Sequence, residues 1–318
     1  MQLTEIKTLC DKIRENINRV IVGKDEVIEH LLIAMICSGH ILLEDVPGTG
    51  KTLLAKAAAK SISCQFKRIQ FTPDLLPSDL TGINYFDQKS GEFRFREGAV
   101  FTNILLGDEI NRATPRTQSA LLECMEERQV TIDGVTTQLN APFIAIATQN
   151  PVETQGTFPL PEAQLDRFLI KTDMGYPDTA DGVVILKRFK SENPLETLEP
   201  VACAGDIVDA QNSYHTVRVA DCVLDYIVRI AQETRSSADI TLGISPRGTQ
   251  ALLRAVQVKA ILAGRDYVTP DDVKSMVKPV FGHRIILKNS ARLKKGQNFE
   301  ILDRILTNIE VPTEKIEA

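Results

Sequence analysis

Apolar and polar residues follow two different rhythms along this chain, and the change between them divides it. From residue 41 to residue 150, short apolar runs rich in β-branched residues alternate with segments of helical periodicity. This alternation is typical of a parallel sheet whose strands are connected by helices. The predicted strands are Ile41–Leu43, Lys67–Gln70, Asn103–Gly107 and Pro142–Ala147.

The segments on either side of this region have helical patterns. The first 40 residues are predicted to form two helices separated at Val22-Gly23-Lys24. After Tyr176-Pro177-Asp178 the strand patterns stop, and helical segments bounded by prolines continue. We therefore predict an α/β domain over residues 1–177, with a parallel sheet, followed by an all-helical domain over residues 178–318.

Two inserts with hairpin patterns interrupt the α/β region, near residues 82–97 and 129–140. In the first, Gly82–Phe86 and Glu92–Arg96 flank a turn that contains Ser90-Gly91. In the second, Gln129–Ile132 and Val135–Leu139 flank Asp133-Gly134, which is a strong signal for a two-residue hairpin turn.

A glycine-containing loop between the first predicted strand and a helix-forming run carries the clearest chemistry. Gly48 and Gly50 allow several backbone N–H groups to converge on one anion, at the positive end of the following helix. Lys51 is expected to reach the β- and γ-phosphates of a nucleotide, and the Thr52 hydroxyl to ligate Mg²⁺. Asp45 stands where the first glycine of such loops is usual. The residues expected to touch the nucleotide are Val46, Pro47, Gly48, Thr49, Gly50, Lys51, Thr52 and Leu53.

Two later strands end in polar residues suited to phosphoryl transfer. The run Ile104-Leu105-Leu106-Gly107 leads into Asp108 and Glu109. In such sites the first carboxylate holds Mg²⁺ and the second polarises the attacking water. The strand before residue 150 leads into Asn150, whose neutral amide is suited to hold that water and to sense the γ-phosphate.

The composition narrows the class of protein further. The chain has 318 residues, of which 43% are hydrophobic and 25% charged, so it can form two domains of ordinary globular type. A net charge of −5 provides no general attraction to nucleic acids or membranes. The polar amino-terminal segment predicts neither a signal peptide nor a membrane span, and six scattered cysteines indicate a reducing compartment. A cytoplasmic location is therefore expected, and the four isolated histidines show no metal-ligand spacing.

Four motifs in fixed order resemble those of the AAA+ ATPases and, within them, of the MoxR family. They are Asp45–Thr52, Asp108–Ala113, Thr148–Pro151 and Leu160–Phe168, and the resemblance extends over nearly the whole chain. It implies a P-loop NTPase core with a helical lid, and ATP and Mg²⁺ as cofactors. It also implies a homo-oligomeric ring, expected to be a hexamer, and protein clients that include von Willebrand factor A domain proteins.

The resemblance also implies roles for individual residues. By this resemblance, Lys51 and Thr52 are the Walker A pair, and Asp108 and Glu109 are the Walker B pair, with Glu109 as the catalytic base. Asn150 corresponds to sensor 1, Arg167 to an arginine finger and Arg247 to sensor 2. Val22 and Gly23 correspond to part of the adenine pocket. Arg247 follows Ser245-Pro246, a helix start, so a moving lid helix could carry it over the γ-phosphate. An arginine finger belongs to the site of the adjacent subunit, and spacing alone gives Arg167 no role.

Three functions stay open on the sequence. The favoured one is an ATP-driven machine that remodels or matures client proteins; the others are a nucleic-acid motor and a nucleotide switch that does not hydrolyse. The first hairpin mixes Lys89, Arg94 and Arg96 with three carboxylates, unlike a surface that follows a phosphate backbone. The intact Asp108-Glu109 pair argues against a switch, because binding alone needs no base.

Overall fold

A computed structural model of the chain describes residues 1–46, 48–150, 156–190, 193–288 and 296–312. Its strands are β1 (Ile41–Glu44), β2 (Phe66–Gln70), β3 (Ile83–Asp87), β4 (Glu92–Arg96), β5 (Ile104–Asp108), β6 (Gln129–Ile132), β7 (Val135–Gln138), β8 (Ile144–Gln149), β9 (Ile170–Thr172), β10 (Ile240–Leu242) and β11 (Ile286–Leu287). Its α-helices are α1 (Leu3–Asn18), α2 (Asp25–Ile36), α3 (Lys51–Ser61), α4 (Pro77–Thr81), α5 (Pro115–Glu127), α6 (Glu162–Leu165), α7 (Thr179–Phe189), α8 (Ala204–Gln211), α9 (Asp221–Ser236), α10 (Pro246–Leu262), α11 (Pro270–Phe281) and α12 (Gln297–Asn308).

A five-stranded parallel sheet forms the centre of the fold, in the order β2-β5-β8-β1-β9. The apolar residues of β5 and β8 are buried, as expected for strands covered on both faces. Because the strands are parallel, their carboxyl ends lie at one edge of the sheet and their amino ends at the other. The four predicted strands are confirmed. The three-residue β9 was not predicted, since so short a run leaves no periodic signal.

Both predicted hairpins are present as antiparallel pairs, β3 with β4 and β6 with β7. They contact each other, because Asn84 Nδ2 donates a hydrogen bond of 2.7 Å to Asp133 Oδ2. The first hairpin exposes large aromatic side chains. Phe93 is 75% exposed and packs edge to face on Phe86, which is 53% exposed.

The carboxyl-terminal part differs in one detail from the all-helical prediction. Between its helices, β10 and β11 form a short antiparallel ladder. Strands of three and two residues are too short to interrupt a helical pattern in the sequence. The remaining elements described there are helical, and the boundary after residue 177 stays a prediction.

One apolar core joins the two parts of the molecule. It runs from helices α1, α2 and α3, over one face of the sheet, into α8 to α11. A second core on the opposite face packs β5 and β8 against α5. Among the described residues, no helix has the length and apolar character needed to cross a bilayer.

Candidate active site

The predicted phosphate loop connects β1 to α3 at the carboxyl edge of the sheet. Gly48 and Gly50 have φ angles of 86° and 96°, in the left-handed region that favours glycine. Gly50 is the residue that precedes the first turn of α3, so the loop runs directly onto a helix N-terminus. Pro47, predicted to touch the nucleotide, lies outside the described residues, as does Pro151 of the third motif.

Lys51 folds back over this loop. Its Nζ donates to the backbone oxygens of Asp45 at 2.9 Å and Val46 at 3.0 Å, and the side chain is buried. Burial lowers the pKa of the Lys51 ammonium, and the nearby carboxylates of Asp45, Asp108 and Glu109 oppose that shift. These two bonds hold the Lys51 ammonium inside the loop.

Asp45 has a structural part in the loop in place of the usual glycine. Its Oδ1 accepts the N–H of Val46 at 2.7 Å, which fixes the first turn of the loop. Its Oδ2 is buried and has no hydrogen-bond partner among the described residues. One carboxylate oxygen thus supports the backbone, while the other adds negative charge close to Lys51.

The Walker B carboxylates are organised by a single hydroxyl. Thr148 Oγ1, at the end of β8, donates to Asp108 Oδ1 at 2.6 Å and accepts the Glu109 N–H at 2.8 Å. Glu109 has φ 57° and ψ 51°, a left-handed conformation that is strained for a residue other than glycine. The bond to Thr148 holds Glu109 in that conformation at the point where the strand ends.

Both carboxylates also have side-chain partners that the sequence did not indicate. Arg68 Nη2 donates to Asp108 Oδ2 at 2.7 Å. Gln70 Nε2 and Arg112 Nη1 donate to Glu109 Oε2 at 2.7 Å and 3.2 Å. The signal that could have found two of them is their alternation on β2, since Arg68 and Gln70 share a face and Gln70 pairs in register with Asp108.

These groups surround one cavity of about 420 Å³. Its lining consists of Gly48, Gly50, Lys51, Thr52, Leu53, Arg68, Gln70, Asp108, Glu109, Thr148 and Asn150. The open glycine backbone, at which an added Cβ at Gly48 would meet nothing within 4 Å, fits a phosphate chain. The Thr52 hydroxyl and the Asp108 carboxylate are hard oxygen donors on the same cavity, which is the donor set that Mg²⁺ prefers beside phosphates.

Three other residues predicted to contact the nucleotide are not among the described residues that line this cavity. Thr49 lies within the loop, where its Oγ1 donates to the Val46 oxygen at 3.3 Å. Val22 and Gly23 are not among the described residues that line the cavity. Gly23 instead packs against Asp181 of α7, and an added Cβ there would overlap that carboxylate.

Arg167 and Arg247 lie together, at the opposite edge of the sheet. Arg167 Nε and Arg247 Nη2 contact the two carboxylate oxygens of Glu126 at 3.1 Å and 2.7 Å. They line a smaller cavity of about 230 Å³ with His40 and Leu169, which precede β1 and β9. Arg247 therefore does not share a cavity with Lys51 of its own chain, and its role as sensor 2 stays a prediction.

A buried arginine attaches the segment around Arg167 to the lid. Arg284 donates from Nε to Asp166 Oδ1 at 2.6 Å, and from its terminal nitrogens to the backbone oxygens of Phe168 at 2.7 Å and Leu169 at 3.1 Å. Burial lowers the pKa of Arg284 to about 10, with Asp166 opposing the shift, so it stays cationic at neutral pH. Sequence patterns gave no sign of this contact, which joins residues more than a hundred positions apart.

Comparison with known proteins agrees with this geometry. Residues 40–170 match the ATPase family associated with various cellular activities (AAA), and residues 232–305 match the AAA lid domain. The parallel sheet with its strand-end cavity and lid is thus that of an AAA+ ATPase.

Full-length relatives define the family within that class. Chaperone MoxR1 of Mycobacterium tuberculosis is 38% identical over 97% of this chain and 83% of its own length. The YeaC protein of Bacillus subtilis is 49% identical over 98% of this chain and 97% of its own. A crystal structure from Cytophaga hutchinsonii matches with a TM-score of 0.91 at 36% identity, covering 98% of this chain and 97% of that one. The chain belongs to the MoxR family of AAA+ ATPases.

Proposed function

We propose that this protein hydrolyses ATP in a ring of identical subunits and uses the energy to remodel or mature client proteins. One observation carries the proposal. Lys51, Glu109 and Asn150 share a cavity at the carboxyl edge of the sheet, whereas Arg167 and Arg247 meet at the amino edge. From His40 to Asp45 the chain rises by roughly 17 Å at about 3.3 Å per residue. The arginines are thus suited to the site of an adjacent subunit.

Each residue of the strand-end cavity has a role in this reaction. Lys51 would bind the β- and γ-phosphates, and Thr52 with Asp108 would hold Mg²⁺, which when bound neutralises phosphate charge. Glu109 would take a proton from the attacking water that Asn150 holds. Because Gln70 and Arg112 occupy one oxygen of Glu109, the base acts through its other oxygen or after these contacts open.

The two hairpins support a protein client rather than a nucleic acid. The exposed aromatic pair Phe86 and Phe93 offers an apolar surface, whereas Arg94 Nη1 is neutralised by Asp87 Oδ2 at 3.3 Å. The bond between Asn84 and Asp133 allows both hairpins to move as one unit. A hexameric ring and clients with von Willebrand factor A domains are proposed from the family resemblance alone. A cytoplasmic location is proposed from the polar amino-terminal segment and the scattered cysteines.

A mixing experiment tests the ring and the reaction together. Glu109→Gln subunits lack the base and keep the arginines, whereas Arg167→Ala subunits keep the base and lack the finger. Each alone should bind ATP and lose most turnover, since a base is worth about 10²–10⁴ and a finger about 10³–10⁵ in rate. Mixed rings should recover part of the phosphate release, because some interfaces then pair an intact base with an intact finger.

The control is each variant alone, measured at the same total subunit concentration as the mixture. An affinity tag on one of the two variants, followed by co-purification of the untagged one, establishes that both kinds of subunit enter the same assemblies. Mixed rings that stay as inactive as either variant would overturn the trans assignment of Arg167. Near-normal hydrolysis by Glu109→Gln alone would show that Glu109 is not the base.

A further inference from the structure

One carboxylate joins the two arginines that the ATPase reaction assigns to the adjacent subunit. Glu126 lies in the last turn of α5. It contacts Arg167, just beyond α6, and Arg247, in the first turn of α10, through different oxygens. The two arginines come from segments 80 residues apart along the chain, and Glu126 is a partner that their guanidinium groups share.

The surrounding charges make this carboxylate hard to replace. The described residues that line the cavity include five arginines and two carboxylates. The second carboxylate, Asp166, is taken by the buried Arg284 at 2.6 Å. Glu126 is therefore the anion available to Arg167 and Arg247, and without its charge two cations would face each other within a basic cavity.

The geometry of the contact indicates that Glu126 orients the Arg167 side chain and leaves it able to bind a phosphate. Glu126 Oε2 contacts Nε of Arg167, the nitrogen nearest the aliphatic stem. A guanidinium held at Nε still has its two terminal nitrogens, the pair that can bind a phosphate with two parallel hydrogen bonds. The arginine can therefore keep this contact while it reaches a phosphate.

We propose that Glu126 is a positioning residue that holds Arg167 and Arg247 as one unit facing the nucleotide of the adjacent subunit. The proposal rests on the proposed function. Arg284 complements Glu126, because it fixes the backbone on both sides of Arg167 while Glu126 fixes the side chain. A loss of Glu126 then lowers the rate of the chemical step and leaves the affinity of a subunit for its own ATP unchanged.

The test compares Glu126→Gln with Glu127→Gln, an exposed neighbour on the same helix. Glu126→Gln should lower kcat by about tenfold or more, a part of the about 10³–10⁵ that an arginine finger supplies. The KM for ATP and the calorimetric affinity for ATP of Glu126→Gln should stay within about twofold of those of the unaltered protein. For Glu127→Gln, both the activity and the ATP affinity should stay within the same range. In an Arg167→Ala, Arg247→Ala background, Glu126→Gln should have no further effect on kcat.

Mixing assigns the effect to the correct side of the interface. Glu126→Gln subunits should regain activity with Glu109→Gln subunits, which supply intact arginines, and should gain nothing from Arg167→Ala subunits. Recovery in the first mixture would also show that the Glu126→Gln subunit is folded, because a misfolded subunit could not supply a working base. Failure of that mixture, with ATP binding by Glu126→Gln intact, counts against the proposal. Unchanged or faster turnover of Glu126→Gln also overturns it. If Arg167→Ala and Glu109→Gln subunits still rescue each other, the ring function stands and only the role of Glu126 falls.

Discussion

At the scale of single residues, one hydroxyl contacts both Walker B residues. Thr148 is buried at the end of β8, and its one hydroxyl serves Asp108 as donor and the Glu109 N–H as acceptor. Glu109 is held in a left-handed conformation that costs of order 1–3 kcal/mol. Since the strained residue is the proposed base, Thr148 determines where that base lies.

Thr148→Val tests this because valine has the same shape and no hydroxyl. We expect kcat for ATP hydrolysis to fall by about tenfold or more, a part of the about 10²–10⁴ that a well-placed base contributes. Nucleotide affinity should change little, because Lys51 and the phosphate loop are untouched. Steady-state phosphate release and calorimetric titration measure the two quantities.

Thr148→Ser is the matched control, since it keeps the hydroxyl and loses only a methyl group. It should retain most of the activity. Full activity of Thr148→Val would show that the bonds to Asp108 and Glu109 do not position the base.

At the scale of elements, the first hairpin projects from a rigid base. The chain leaves α4 at Gly82 and returns at Gly98, beside the backbone of Leu80. The returning strand is fixed there, because the N–H groups of Ala99 and Val100 donate to the oxygens of Asp79 and Leu80 at 3.0 Å and 3.1 Å. The aromatic tip is exposed while the base is closely packed, so the hairpin is anchored at its base.

Gly98→Ala should disturb this base. An added Cβ would overlap the Leu80 carbonyl, a backbone group that cannot rotate away. We expect the free energy of unfolding to fall by about 1–3 kcal/mol, the usual cost of overpacking, and the melting temperature to fall with it. Thermal denaturation followed by circular dichroism measures the change.

Gly182→Ala in α7 is the control, and its expected effect on stability has the opposite sign. Nothing lies within 4 Å of an added Cβ there, and alanine in a helix is favoured over glycine by about 0.5–1 kcal/mol. Its melting temperature should stay level or rise. Equal effects of the two substitutions would mean that the close approach at Gly98 is not what fixes the hairpin.

At the scale of the whole molecule, stability is linked to pH through buried neutral histidines. His40 Nδ1 accepts the Ala145 N–H at 2.9 Å, so its proton is on Nε2, which faces the Met125 oxygen at 2.8 Å. Burial, helped by the charge of Arg128, lowers the pKa of His40 to about 3. Burial likewise lowers the pKa values of His283 and His30.

The direction in which stability changes with pH follows from these lowered pKa values. In the unfolded chain a histidine binds a proton near pH 6.5, whereas folded His40 does so only near pH 3. The unfolded state therefore binds more protons in this interval. Stability is complete above about pH 6.5 and is lost as the pH falls, by up to about 1.4 kcal/mol per pH unit for each such group.

Urea denaturation between pH 7.5 and pH 5 measures this slope in a range where ordinary carboxylates stay ionised. The free energy of unfolding should fall across the range, and His40→Gln should make the slope shallower. A flat profile in the unaltered protein would contradict the link.

Features that depend on neighbouring residues along the chain could be predicted from the sequence. The phosphate loop is one, because the conformations of Gly48 and Gly50, the helix that starts at Lys51 and the preceding strand are all local. The hairpin at Asp133-Gly134 and the helix start at Ser245-Pro246 are of the same kind. Four ordered motifs were then enough to recognise the resemblance to the family.

Only the tertiary structure decided which distant groups meet. Apart from the neighbouring Arg112, the side-chain partners described for Asp108 and Glu109 come from β2 and β8, and they follow from a strand order that periodicity does not specify. Glu126 and Arg284 each contact residues more than 40 positions away, so no spacing rule could pair them. The same holds for Arg247, because its distance from Lys51 depends on how the lid packs against the sheet. That packing comes from apolar surfaces spread over the whole chain.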